Sequence, residues 1–360
     1  MTDPRVTAQA RILVRYCVDA REGQQIGVSG TSLAEPLLED VCEELYRIGA
    51  FPALRMSPCN LTEKYFRVGK ENLFKTLPSF QLDYARRMDA TIGVQSEGNT
   101  RGLTGADPAR FSALAKTMRP VRKILMRKRW VTTVFPTAAY AQDAEMSLSE
   151  FEDYVFAAQF ADERDPLRRW AELHRLQERL IGKLKGADKI RIEGPDTGLT
   201  FSVKGRTFIN SDGKRNMPSG EIFTGPVEDS VEGHIRFDFP VCVQGREVAG
   251  IRLVFKKGKV VEASADKNQA FLLTMLDSDP GARRLGELGI GTHPKINRFI
   301  RNILFDEKIG GTIHLALGQS YPETGGRNKS SLHWDLIRDL RKGGRLTVDG
   351  RVFQKDGRFV

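Results

Sequence analysis

At 360 residues, with 40% hydrophobic and 28% charged positions, the chain has the composition of a soluble globular protein able to bury a full core, and its length calls for two domains. No apolar run approaches the ~20 residues that span a bilayer, and Arg5, Arg11, Arg15 and Asp19 interrupt the start where a signal peptide would be hydrophobic. A net charge of +10 raises nucleic acid as a possible partner.

Gln25 to Ser29 reads as a short strand, and Thr31 or Ser32 caps the helix that follows. Leu33, Leu37, Leu38, Val41, Cys42, Leu45 and Ile48 line one face of that helix, which Gly49 stops. Gly27 and Gly30 match neither a dinucleotide nor a P-loop pattern and read as turn glycines at a strand end. Phe51 to Met56, Ala90 to Val94 and Val131 to Phe135 are further strands, the last two separated by a helix over Pro108 to Arg129. This alternation predicts a layered α/β domain with a parallel sheet. The basic run from Arg119 to Arg129 carries apolar residues at helical spacing, the pattern of a solvated helix face rather than a nucleic-acid motif.

Residues 147–185 are expected to be a helical bridge opened by a Ser147/Glu150 capping box. Beyond it, Ile190–Ile192, Leu199–Val203, Ile235–Phe239 and Ile251–Phe255 alternate apolar and polar, which predicts half-buried antiparallel strands. Short helices are expected at Asn268 to Leu276 and Pro294 to Leu304. The expected division is an N-terminal α/β domain over 1–186 and a C-terminal mixed α+β domain over 187–360. Cys17, Cys42, Cys59 and Cys242 are dispersed without CxxC spacing, which fits free thiols and a cytoplasmic location.

Six metal-friendly side chains crowd the C-terminal part: Glu221, Glu287, His314, Tyr321, His333 and Asp335. Five of them follow residue 280, in what reads as glycine-broken loops, and two of the chain's five histidines are among them. Glu221 leaves a turn forced by Pro218 and Gly220. Glu287 sits among small and apolar neighbours, where a carboxylate needs a metal or a basic partner. His314 shares a strand face with Thr312 and Ala316, and there it is either a hydrogen-bonded core residue or a ligand. His333 and Asp335, two apart, point the same way on a strand, as a chelating or a simply hydrogen-bonded pair. Nearby His293 reads as the cap of a helix opened by Pro294. Together the five potential ligands suit a pair of divalent cations sharing one bridging carboxylate.

The stretches NMPSGEIFTGPVEDSVEG, LGELGIGT, FDEKIGGTIHLALGQSYPETGG and SSLHWD resemble the signature blocks of the M29 metallo-aminopeptidases, the aminopeptidase T and aminopeptidase S group. The resemblance is dense from about Glu193 to Leu336 and looser before it. It implies a two-domain, homodimeric exopeptidase that removes N-terminal amino acids from peptides with two divalent ions (cobalt, zinc, magnesium or manganese). By position, Glu221, Glu287, His314, His333 and Asp335 correspond to the family's metal ligands and Tyr321 to its active-site tyrosine. In the mechanism this implies, Glu287 bridges the ions, with His314 and Glu221 on one side and His333 with Asp335 on the other. Tyr321 donates to the developing oxyanion, and Glu287 or Glu307 carries the proton. The chain departs from the pattern in its shorter length, a compressed stretch between Tyr321 and His333, and His293 in place of an asparagine.

Two other readings compete. Ring-cleaving iron dioxygenases of the dihydroxypyridine type are similar to this family, and His314, His333 and Asp335 would supply their facial triad. A basic nucleic-acid-binding protein would explain the charge and leave the carboxylates without purpose.

Overall fold

The computed structural model describes residues 3–243 and 246–360. They divide into two compact units, one of residues 1–170 with 213–218 and one of 171–212 with 219–360.

The first unit is built on a parallel sheet in the order Phe51–Ser57, Gln25–Thr31, Ala90–Gln95, Arg129–Val134, Asn216–Met217. The parallel α/β expectation is met. Ile26, Val28, Ala90, Ile92, Val131 and Val134 are buried, as the strands of a covered parallel sheet must be. Gly27 and Gly30 are not turn glycines. Both lie inside the strand Gln25–Thr31, and a Cβ on Gly27 would stand 2.1 Å from the Tyr84 hydroxyl. Their role is to let neighbouring side chains lie flat on the sheet. Helix Pro108–Leu125 ends before the basic run does, keeping Val121 inward while Arg119, Arg122 and Lys123 face solvent.

The 147–185 stretch is helical in two pieces. It forms helices Leu148–Ala158 and Pro166–Leu184, parted at Phe160, whose φ of 57° no α-helix continues through. The Ser147/Glu150 capping box is present. The chain passes into the second unit within the second helix.

The second unit has two large sheets. The strands expected from alternation, now Lys189–Gly194, Thr197–Ser202, Glu232–Arg236 and Arg252–Lys256, lie in an eight-stranded antiparallel sheet. A five-stranded antiparallel sheet runs His333–Asp339, Thr312–Gly318, Leu285–Gly291, Glu221–Thr224, Ile209–Ser211. One apolar cluster joins them, with Ile190, Leu199, Phe201, Ile235 and Leu253 from the first and Ile222, Leu288, Ile290, Ile313, Leu315 and Leu336 from the second. One face of the smaller sheet is therefore core, and its other face is free for polar chemistry.

Helix Gln269–Leu276 forms where expected, but Pro294 to Leu304 does not become a helix. Only Ile303–Asp306 is helical. His293 Nδ1 does accept from the Lys295 and Ile296 N–H groups at 3.1 Å each, yet Arg301 has a φ of 59°, and the Ile296 carbonyl is taken by the Gly310 N–H at 3.0 Å. The segment's backbone groups find partners in neighbouring loops, so helical ones are not needed. Among the described residues no disulfide joins Cys17, Cys42, Cys59 or Cys242. Among the described residues no helix is long and apolar enough to cross a membrane.

Candidate metal centre

Strand periodicity puts the polar face together. Leu288 and Ile290 point into the core, so Glu287, Gly289 and Gly291 point away from it. Leu315 and Ile313 do the same for His314 and Ala316, and Trp334 and Leu336 for His333 and Asp335. Register then aligns them. Ala316 stands between Glu287 and Asp335, Gly289 lies opposite His314, and Gly291 lies opposite Glu221. Four neighbouring strands thus aim Glu221, Glu287, His314, His333 and Asp335 at one place. These residues are not in glycine-broken loops, as the sequence had implied; of the six, only Tyr321 is in a loop.

The smallest residues of the face are what make room. A Cβ on Gly289 would sit 2.0 Å from His314 Cε1, so the imidazole lies directly over that glycine. Gln177, fully buried, donates to the Glu221 carbonyl at 2.7 Å and fixes the strand end that carries the carboxylate.

The donor atoms converge closely. Glu221, Glu287 and His314 offer atoms all within 4.8 Å of one another, as do Glu287, His333 and Asp335. Glu287 lies between the imidazoles, with Oε1 3.4 Å from His314 Nε2 and Oε2 3.5 Å from His333 Nε2. His314 Nε2 also faces Glu221 Oε2 at 3.4 Å, and His333 Nε2 faces Asp335 Oδ1 at 3.5 Å. Each imidazole donates its Nδ1–H to a backbone carbonyl, His314 to Glu307 at 3.2 Å and His333 to Gln319 at 2.9 Å. Such a bond fixes the ring and turns Nε2 toward the carboxylates, the usual posture of a ligating histidine.

Tyr321 comes from the loop after Gly318. Its ring packs edge-on against Phe223 and His333, and its hydroxyl lies 3.5 Å from His333 Nε2. Glu287 and His314 are nearly sealed, at 4% and 1% exposure, whereas His333 is exposed and Tyr321 partly so. The centre is least covered on the His333–Tyr321 side.

The electrostatics call for cations. Burial pushes the Glu287 carboxyl up, reinforced by Asp335 and Glu221, while His314 works against it. Burial alone would depress both imidazoles, but the carboxylates around them outweigh it and raise His314 and His333. Burial, then the same carboxylates, drive the Tyr321 phenol well above its ordinary value. Glu221 Oε2 and Asp335 Oδ1 are buried without a hydrogen-bond partner. Buried anionic oxygens left so are costly unless something positive meets them. Carboxylate oxygens with imidazole nitrogens, at these spacings, fit divalent cations.

Sequence reasoning missed Lys308, fully buried with its Nζ 3.2 Å from Glu221 Oε1 and in contact with the Glu307 carboxylate. A lysine next to a glutamate in a loop gives no sign of burial. It also missed Gly289 and Gly291 as spacers, although their alternation with Leu288 and Ile290 was readable.

The family model for "Thermophilic metalloprotease (M29)" matches residues 2–359. The chain belongs to the M29 metalloprotease family. It is 28% identical to Aminopeptidase 2 of Geobacillus stearothermophilus over 95% of this chain and 94% of that one. Identity to Aminopeptidase T of Thermus thermophilus is 26%, covering 87% and 84% of the two chains. The solved structure of wild-type AmpT from Thermus thermophilus shares the fold, with a TM-score of 0.87 at 23% identity over 99% of both chains. These findings lend nothing to the dioxygenase or nucleic-acid readings.

In this M29 chain, Gly289→Ala is expected to push the His314 imidazole off its place. The overpacking should cost about 1–3 kcal/mol, read as a lower melting temperature, and bound metal per chain should fall with it.

Proposed function

We infer that this protein is a metal-dependent aminopeptidase, releasing N-terminal amino acids from peptides. The observation that carries this is the Glu287 carboxylate held between His314 Nε2 and His333 Nε2, with unpartnered oxygens of Glu221 and Asp335 beside it. Names of relatives such as Aminopeptidase 2 and Aminopeptidase T support the same activity.

Two divalent ions would be held here, by Glu221 and His314 on one side, His333 and Asp335 on the other, with Glu287 shared; the catalytic domain is the second unit. Bound, such ions polarise a carbonyl and bring the pKa of water down to roughly 7. The protein's own residues do the rest. Glu287 or Glu307 accepts the proton of the attacking water and returns it to the departing amine. Tyr321 donates its hydroxyl hydrogen to the oxygen of the scissile carbonyl as charge develops there. The Trp334 and Leu336 side of the sheet is packed in the core, so the donors cannot retreat from one another. Cobalt, zinc, magnesium or manganese suits this donor set, and a homodimer working in the cytoplasm is the form in which we place it.

The test is metal removal. Protein treated with a chelator should lose hydrolysis of amino-acid p-nitroanilides and regain it with cobalt, zinc, magnesium or manganese added singly. Full activity in metal-free protein, or turnover only of N-acetylated substrates, would rule the reading out.

A further inference from the structure

Lys308 has no part in the chemistry above, yet it is 0% exposed, an expensive place for an ammonium. Its backbone is tightly located. The Lys308 N–H donates to the Phe305 carbonyl at 2.9 Å, and its carbonyl accepts from the His293 N–H at 3.3 Å. The adjoining Ile309 forms a bridge with His293, and a Cβ on Gly291 would stand 2.1 Å from the Ile309 carbonyl oxygen. Gly291 is the register partner of Glu221. The missing side chain at 291 therefore lets the 308–309 backbone lie against the sheet where Glu221 starts, and the lysine reaches the carboxylate from there.

The two oxygens of Glu221 are treated differently. Oε1 lies 3.2 Å from Lys308 Nζ, while Oε2 faces His314 Nε2 and has no hydrogen-bond partner. The ammonium also holds Glu307, whose carboxylate offers an atom within 4.8 Å of donors from His314 and Asp335. The one ammonium thus meets two carboxylates, Glu221 and Glu307.

We propose that Lys308 is a positioning residue that occupies Glu221 Oε1, so that Glu221 presents Oε2 alone to a cation. This rests on the metal reading above. An ammonium placed only to offset charge would repel an incoming cation and weaken its binding. One that fixes a ligand carboxylate strengthens binding despite its sign, since outer partners of metal ligands are typically worth about 10–100-fold in affinity. The two roles predict opposite effects of removing the lysine.

The experiment is a competition titration of metal-free protein with zinc and with cobalt against a chromophoric chelator, on wild type, Lys308→Met, Lys308→Arg and Glu287→Gln. Lys308→Met should weaken one site about 10–100-fold, leave the other unchanged, and alter the visible absorption of the cobalt-loaded protein. Lys308→Arg should restore most of the affinity. If Lys308→Met does not fold, Lys308→Gln replaces it, with at least about tenfold weakening at one site expected. Unchanged or tighter binding in the neutral variant overturns the role of Lys308 while wild type still binds. A wild type that binds no divalent ion, in contrast, overturns the metal reading itself.

Discussion

Glu287→Gln is expected to reduce kcat/KM by at least about 10³-fold, equivalent to about 4 kcal/mol of transition-state stabilisation, and to strip bound metal. Glu287 is the carboxylate between both imidazoles, so its replacement removes an anionic oxygen from each half of the donor set. The effect on stability should change sign with metal. In metal-free protein the substitution takes a negative charge out of a buried group: burial first, then Asp335 and Glu221, push the Glu287 carboxyl up against the pull of His314. Melting of the metal-free variant should therefore be about 2–4 °C higher than that of metal-free wild type. In the presence of saturating zinc the order should reverse, because wild type alone gains the stabilisation that ligand binding supplies. Scanning calorimetry of the four samples reads this directly. A variant that melts lower under both conditions would mark Glu287 as an ordinary structural carboxylate.

Tyr321→Phe is expected to separate binding from chemistry. The hydroxyl lies 3.5 Å from His333 Nε2, at the accessible side of the centre, while the ring is held by packing on Phe223 and His333. Phenylalanine keeps that packing and loses only the donor. Metal content and melting temperature should stay at wild-type values. Turnover should drop about 10²–10³-fold, the loss typical of one missing oxyanion donor, with KM little changed. Normal turnover would remove Tyr321 from the reaction, and loss of metal would make it a ligand instead.

The sequence carried much of the fold because the signals involved are local. Period-two alternation from Ile190 onward marked strands of the eight-stranded sheet, and the Ser147/Glu150 box marked a helix start. Where it misled, a non-local contact overrode a local preference. Gly27 and Gly30 resemble turn residues until Tyr84 and Leu38 are seen against them. Pro294 looks like a helix start, but the Gly310 N–H and the Asp306 carboxylate claim the backbone that follows. The glycines around Glu287 suggested a loop, yet Gly289 and Gly291 continue a strand and thin its polar face.

The sequence by itself determined which way each donor points. In Glu287-Leu-Gly-Ile-Gly, His314-Leu-Ala and His333-Trp-Asp335, apolar neighbours on alternate positions commit one face to the core and leave the other to the polar groups. Only the tertiary structure decided which strands lie side by side and in what register, since a slip of one residue would send the same donors into the apolar layer. It also decided that a loop lysine lies sealed beneath Glu221. Side-chain direction along a strand follows from covalent geometry, whereas adjacency between strands depends on burying the whole sheet.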